Sequence, residues 1–383
     1  MDFLTLSPVA FPEPLVELRH QVRAFLRDEI TEGRITPHCD QWLAGWDPGF
    51  SRRLAERGWL GMAFPTEYGG SAAGALARFV VTEELLAAGA PVAAHWIADR
   101  QSGQALMKFG TEEQRKAFLP RIARGECFFA IGMSEPDTGS DLASVRTRGT
   151  RVDGGWVLNG TKLWTSGAHH AHAMIALIRT EELGESRHAG LTQVIVELPD
   201  PAVEVRPIRL LTGEHHFNEV VFQDTFVPDS RVLGKPGAGW KQVTSELALE
   251  RSGPERILST FPLLVVALRT IAEDGVDVDR ARLGELVARL WALRRMSIAV
   301  AGRLEQGEDP ATAAAIVKDL GTQFEGGLID VVRMMVGIEP DLGSLYRLPR
   351  MLAEAVLHSP GFTLRGGTNE ILRGIVAKAV GAS

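Results

Sequence analysis

The chain has 383 residues, 45% of them apolar, with a formal net charge of −7 and two cysteines, Cys39 and Cys127. The acidic balance gives no electrostatic case for nucleic acid or an anionic membrane. Two cysteines far apart in sequence form neither a disulfide framework nor a zinc pattern, which points to a reducing, cytoplasmic setting. The first residues lack the basic start and apolar core of a signal peptide, and "FPLLVVAL" falls far short of the roughly 18 apolar residues that a membrane span needs. From about Pro12 to Gly125 the pattern is helical. "PEPLVELRHQVRAFLRDEI" spaces its apolar residues at helical period. "TEEQRKAFLPRIARGE" opens on Thr111, an N-cap with Glu and Gln in the first turn. Near Cys127 the character changes. "GGWVLNGTKLWTSG", "AMIALIRT", "LTQVIVEL" and "NEVVFQDTFVP" read as short strands, with Asn159-Gly160 as a hairpin signal and Trp164 within a strand. After "GKPGAGW" the helical pattern returns, and "ARLGELVARLWALRRMSIAVAGRLEQG" is a long amphipathic helix ended by Gly307. The order predicts an α+β chain of two or three domains. The expected divisions are an N-terminal helical domain over 1–125, a central β domain over 126–235 and a C-terminal helical domain over 236–383.

Chemistry concentrates in three places. "GMSEPDTGSD" is dense in turn formers and small hydroxyls, and exposed backbone N–H groups in such loops hold phosphates or ring edges; an ordinary polar loop is the alternative. "LNGTKLWTSG" sets planar Trp164 beside Thr165 and Ser166, which suits an aromatic ligand as well as a core. "LRGGTNEILRG" leads two glycines into a Thr-Asn-Glu cap and an apolar helix. The histidines of "AHHAHA" and "EHHF" have no acidic partner at useful spacing, so no metal site is expected.

With "NEVVFQDTFVPDSRVLGKPGAGW" these segments, in this order, resemble the acyl-CoA dehydrogenase family of flavoenzymes over most of the chain. The resemblance implies an N-terminal helical domain, a central β barrel or sandwich and a C-terminal helical bundle. The cofactor it implies is FAD. The reaction it implies is removal of the α-proton of an acyl-CoA and loss of the β-hydrogen as hydride to the flavin, giving a trans-2-enoyl-CoA. Met133, Ser134, Trp164, Thr165 and Ser166 would lie about the isoalloxazine ring. Ser140 would approach a pyrophosphate or the CoA, and Thr368 and Glu370 the ribityl and adenine side. Arg251 and Gly367 would line the substrate. An electron-transfer flavoprotein is the implied acceptor, and a dimer or tetramer, of like or related chains, the implied assembly.

Many members carry their catalytic glutamate directly before the Gly-Thr of the terminal segment, where this chain has Gly366. A minority, resembling isovaleryl-CoA and long-chain acyl-CoA dehydrogenases, take it from the first helix after the β domain. Here "LALER" places Glu250 at that position. Pro254, four residues on, would kink the helix, and burial in an acyl tunnel would strengthen the base. The resemblance leaves Gly366 the role of a backbone N–H donor to the thioester carbonyl. An exposed Glu250 paired at the surface with Arg251 or Arg256 is the alternative, and a surface salt bridge is the expected state of Arg365. The family's Arg-x-x-Phe-Gly and Gln-x-x-Gly-Gly segments are missing; "RILSTFPLLVVALRTIAEDG" and "VVRMMVGIEP" stand there. That departure raises the alternative of a partner subunit with an incomplete flavin site.

Overall fold

A computed structural model describes residues 6–182, 184–250 and 253–381, the side chains of 246–250 excepted. In chain order the helices before the sheet are α1 (Glu13–Thr31), α2 (Pro48–Glu56), α3 (Ala75–Ala87), α4 (Ala93–Ile97), α5 (Gly103–Phe109) and α6 (Glu112–Ala123). The strands are β1 (Phe129–Gly132), β2 (Arg148–Val152), β3 (Gly155–Lys162), β4 (Ala173–Arg179), β5 (Leu191–Glu197), β6 (Val203–Arg209), β7 (His215–Pro228) and β8 (Val232–Leu233). The last helices are α7 (Gly239–Glu250), α8 (Phe261–Asp274), α9 (Arg280–Glu305), α10 (Ala311–Val336), α11 (Arg347–His358) and α12 (Asn369–Ala379). This is the α+β order that the sequence predicts. No helix among the described residues is long and apolar enough to cross a membrane.

By internal contacts the chain forms two compact units, one of residues 1–45, 74–91 and 248–383, the other of 46–73 and 92–247. The second unit holds the sheet, in the order β6-β7-β3-β2-β4-β5-β8, with β1 parallel to β4. One face buries Leu158, Met174, Val194, Val220 and Phe222. Phe129, Ile175 and Ile195 pack with Phe118, Leu119 and Ile122 of α6. Thr111 caps α6 in a reciprocal box with Gln114. The first unit is helical: α9 and α10 bury Val300, Ala313, Ala314 and Val317 between them.

Two local expectations are corrected. Asn159-Gly160 does not turn the chain; it lies inside β3 as a bulge against β7, with Gly160 at φ +146°. An extra residue there bends the strand and re-aims the chain beyond it. Helix α7 does not kink at Pro254. It is described to Glu250, and Pro254 opens a separate 3-10 turn over Pro254–Arg256 after an extended Gly253. A proline is best placed in a first turn, where its missing N–H is not needed.

Candidate active site

In the sheet unit, β1 and β3 deliver their ends to one place. Met133 and Ser134 follow β1, and the Leu163 N–H donates to the Ser134 carbonyl (2.8 Å). Met133 packs on Leu142, Val145, Leu177, Leu191 and Val243. Trp164 is not in a strand, as the sequence suggests, but in a bend after β3, at φ +59° and 52% exposed. A bulky residue in the left-handed region is strained and persists only when its surroundings force it. Here Thr165 exchanges backbone hydrogen bonds with Asn218 of β7 (3.0 and 3.1 Å), the Gly167 N–H donates to the His216 carbonyl (2.7 Å), and Phe217 packs edge-on to the indole. The N–H groups of Ser134, Trp164 and Ser166 make no backbone hydrogen bond among the described residues. The Thr165 hydroxyl is buried without a partner among the described residues. Buried or oriented donors without partners beside an exposed planar ring fit a heteroaromatic ligand with carbonyl and ring-nitrogen acceptors. Ser140 is exposed, just beyond a tight turn closed by the Glu135–Thr138 backbone pair.

Two residues inside the quoted segments, to which the sequence reading gave no role, hold this loop. Lys162, fully buried, donates to Glu135 (2.8 Å) and to the Met133 carbonyl (3.3 Å). Glu135 also accepts from the Arg146 and Thr147 N–H groups (2.7 and 2.8 Å). Burial opposes charge on Glu135, but Lys162 outweighs it and holds the carboxyl below its ordinary range. The sequence does carry a hint: a lysine on a strand otherwise facing the core demands a buried acid.

Beside this loop stand stacked imidazoles. His169 lies 3.9 Å, centroid to centroid, from both His170 and His215. Burial, then the neighbouring His170 and His215, lowers the His169 pKa from 6.5 to about 4. Its folded value is depressed, so the stability of the neutral stack is complete above pH 6.5 and is lost as pH falls toward 4. We expect unfolding free energy to decline across that window, and a His169→Gln variant to flatten the decline. An unchanged slope in denaturant titrations at stepped pH would refute this.

In the helical unit the terminal loop precedes α12. Gly366 and Gly367 sit at φ +69° and +88°, a region that only glycine enters without strain. Thr368 caps α12, accepting from the Ile371 N–H (3.4 Å), and Glu370 is exposed in its first turn. Lys318 of α10, fully buried, donates to the Gly367 carbonyl (2.5 Å) and to Asn369 Oδ1 (3.2 Å). Arg365 is not the surface residue expected. It donates to Asp40 Oδ2 (2.7 Å) and Ser259 Oγ (3.1 Å), with its side chain 14% exposed. Burial disfavours charge on Asp40, yet Arg365 and His358 outweigh it and hold the carboxyl well below the usual range. Glu325 accepts from the Ser259 N–H (2.7 Å), and burial pushes its carboxyl up to about 7. Arg256 is no surface partner either: it is fully buried. The Glu250 backbone is the last of α7 among the described residues; its side chain, and all of Arg251, lie outside them.

Sequence models of the acyl-CoA dehydrogenase N-terminal and middle domains match residues 13–126 and 130–225. An acyl-CoA dehydrogenase of Mycobacterium tuberculosis, IpdE1, is 34% identical over 383 residues, covering 95% of this chain and 96% of its own. The chain belongs to the acyl-CoA dehydrogenase family. Isovaleryl-CoA dehydrogenase of Solanum tuberosum is 34% identical over 83% of this chain and 79% of its own. Among solved structures, the Tcur3481-Tcur3483 steroid ACAD is 28% identical, with a TM-score of 0.84 over 100% of this chain and 99% of its own.

Proposed function

We propose that this chain is a flavin-dependent acyl-CoA dehydrogenase that converts an acyl-CoA thioester to its trans-2-enoyl-CoA, with Glu250 as the base. Membership of the family carries the reaction class. The left-handed, half-exposed Trp164 beside a buried, unpartnered Thr165 hydroxyl is the observation that best supports a flavin at this loop. FAD, when bound, supplies the hydride acceptor. Ser134, Trp164, Thr165 and Ser166, with Met133 behind them, would hold its ring; Ser140 would meet a pyrophosphate or the CoA, and Thr368 and Glu370 the ribityl and adenine side. Arg251 and Gly367 are assigned to the substrate. The Gly366 N–H would donate to the thioester carbonyl, acidifying the α-proton, and Glu250 would take that proton as general base.

Oligomerisation is the family's habit, and the solved steroid ACAD is named for two components. Leu342, Leu345, Tyr346 and Met334 are exposed where the Gln-x-x-Gly-Gly segment is missing. Several exposed apolar residues close together in sequence favour a second chain there, of like or related sequence. An electron-transfer flavoprotein is the proposed acceptor.

The test is anaerobic titration of the purified chain with a panel of acyl-CoAs while the flavin absorption band is recorded. Bleaching by one or more thioesters is expected. A colourless protein, or bound flavin that no thioester reduces, would overturn the reading of a self-sufficient enzyme.

A further inference from the structure

We propose that Arg256 is an electrostatic positioning residue of this active site, a buried guanidinium that takes the space of a side chain at position 366 and sets positive charge against the Gly366 backbone. The inference rests on the reading of Gly366 as the thioester donor.

Arg256 is fully buried, in the 3-10 turn after α7. A Cβ built on Gly366 would lie 2.7 Å from Arg256 Nη2 and 3.1 Å from its Cζ. No side chain at 366 coexists with that guanidinium where it stands. Position 366 is where many family members keep their base, so this chain has replaced a carboxylate with the opposite charge. The guanidinium is also held in place. It stacks 5.0 Å from the Trp42 ring centroid, and Trp42 donates its indole N–H to Ser259 Oγ (3.2 Å). The same turn lies directly on α10 at Gly321, where a Cβ would come within 2.7 Å of Ile257 Cγ2. Glycine is needed there for the close approach.

Proton removal from the α-carbon puts negative charge on the thioester oxygen. The proton passes to Glu250, the electron pair stays on the substrate as an enolate, and nothing is oxidised in that step. A fixed positive charge in water-poor surroundings lowers the energy of that anion without reorganising. Acting through the backbone of Gly366, it serves the enolate and leaves ground-state binding little changed.

The test isolates this step. A 3-thia analogue of the acyl-CoA that bleaches the flavin has no β-hydrogen, so only α-proton exchange with deuterated water is read, by mass spectrometry. We expect Arg256→Gln to slow exchange by about 10- to 100-fold at unchanged analogue affinity, and Arg256→Lys to retain most of the rate. Equal loss in the Lys and Gln variants, or loss only of affinity, would make Arg256 a packing residue and overturn the proposal. If Arg256→Gln fails to fold, Gly366→Ala is compared in the wild-type and Arg256→Lys backgrounds. A smaller loss beside the slimmer lysine supports the contact, and an equal loss refutes it. Exchange that persists in Glu250→Gln would overturn the base assignment alone, because the Arg256 comparison is then read against whichever base operates.

Discussion

Glu250→Gln will lower the rate of flavin bleaching by acyl-CoA by about 10²- to 10⁴-fold, the usual contribution of a general base. The amide keeps the volume of the carboxylate, so thioester binding, followed as a shift of the oxidised flavin band, will persist while reduction stops. That separation identifies a missing base, since a collapsed pocket would lose both. Stopped-flow reduction under anaerobic conditions, with saturating acyl-CoA, measures the difference directly. Wild-type rates in the variant would sink the assignment. Attention would then turn to Glu325, the buried carboxyl whose pKa is pushed up to about 7 and which lies in the same helical unit.

Lys162→Met will destabilise the fold severely. It strands Glu135 as a buried carboxylate held only by the Arg146 and Thr147 N–H groups. Breaking a buried ion pair from one side costs about 3–5 kcal/mol, a large share of a total that is typically about 5–15 kcal/mol. Urea denaturation of the chain stripped of flavin measures this, and flavin affinity should fall with it, because Lys162 also holds the Met133 carbonyl. The double variant Lys162→Met with Glu135→Gln should recover much of the loss, since no buried charge remains unpaired. There is a pH signature as well. Glu135 is held below its ordinary range, so its contribution is present above its unfolded pKa and is lost as pH falls through its folded pKa. Removing Lys162 raises that folded pKa and moves the acid limb of the stability curve to higher pH. A Lys162→Met protein as stable as wild type would mean the pair contributes nothing net.

Much of this architecture is legible along the chain. The block order follows from a change of period, from helical before Cys127 to alternating after it and back to helical past Gly239, because burying one face imposes those periods. Thr111 and Thr368 are legible as caps because a cap is a local hydrogen bond, made within one turn. Local signals fail where one segment's partner lies elsewhere. Asn159-Gly160 has the composition of a turn, yet pairing with β7 on the other side makes it a bulge. Pro254 signals a kink, but an extended Gly253 before it lets the chain stop one helix and start a fresh turn.

By itself, then, the sequence determined the class, the order of blocks and the absence of a carboxylate at position 366, all properties of residue type at short range. Only the tertiary structure decided which charges are buried and what they face. Asp40 and Arg365 are 325 residues apart and make one ion pair. Arg256, a surface partner of Glu250 only on the alternative reading, packs against Gly366 and Trp42. Lys318 reaches from the N-terminal third of α10 to tie down the loop before α12. The physical reason is that a charge enters a core only with its partner. Partnership is set by which backbones pack against one another, which no window along the chain contains.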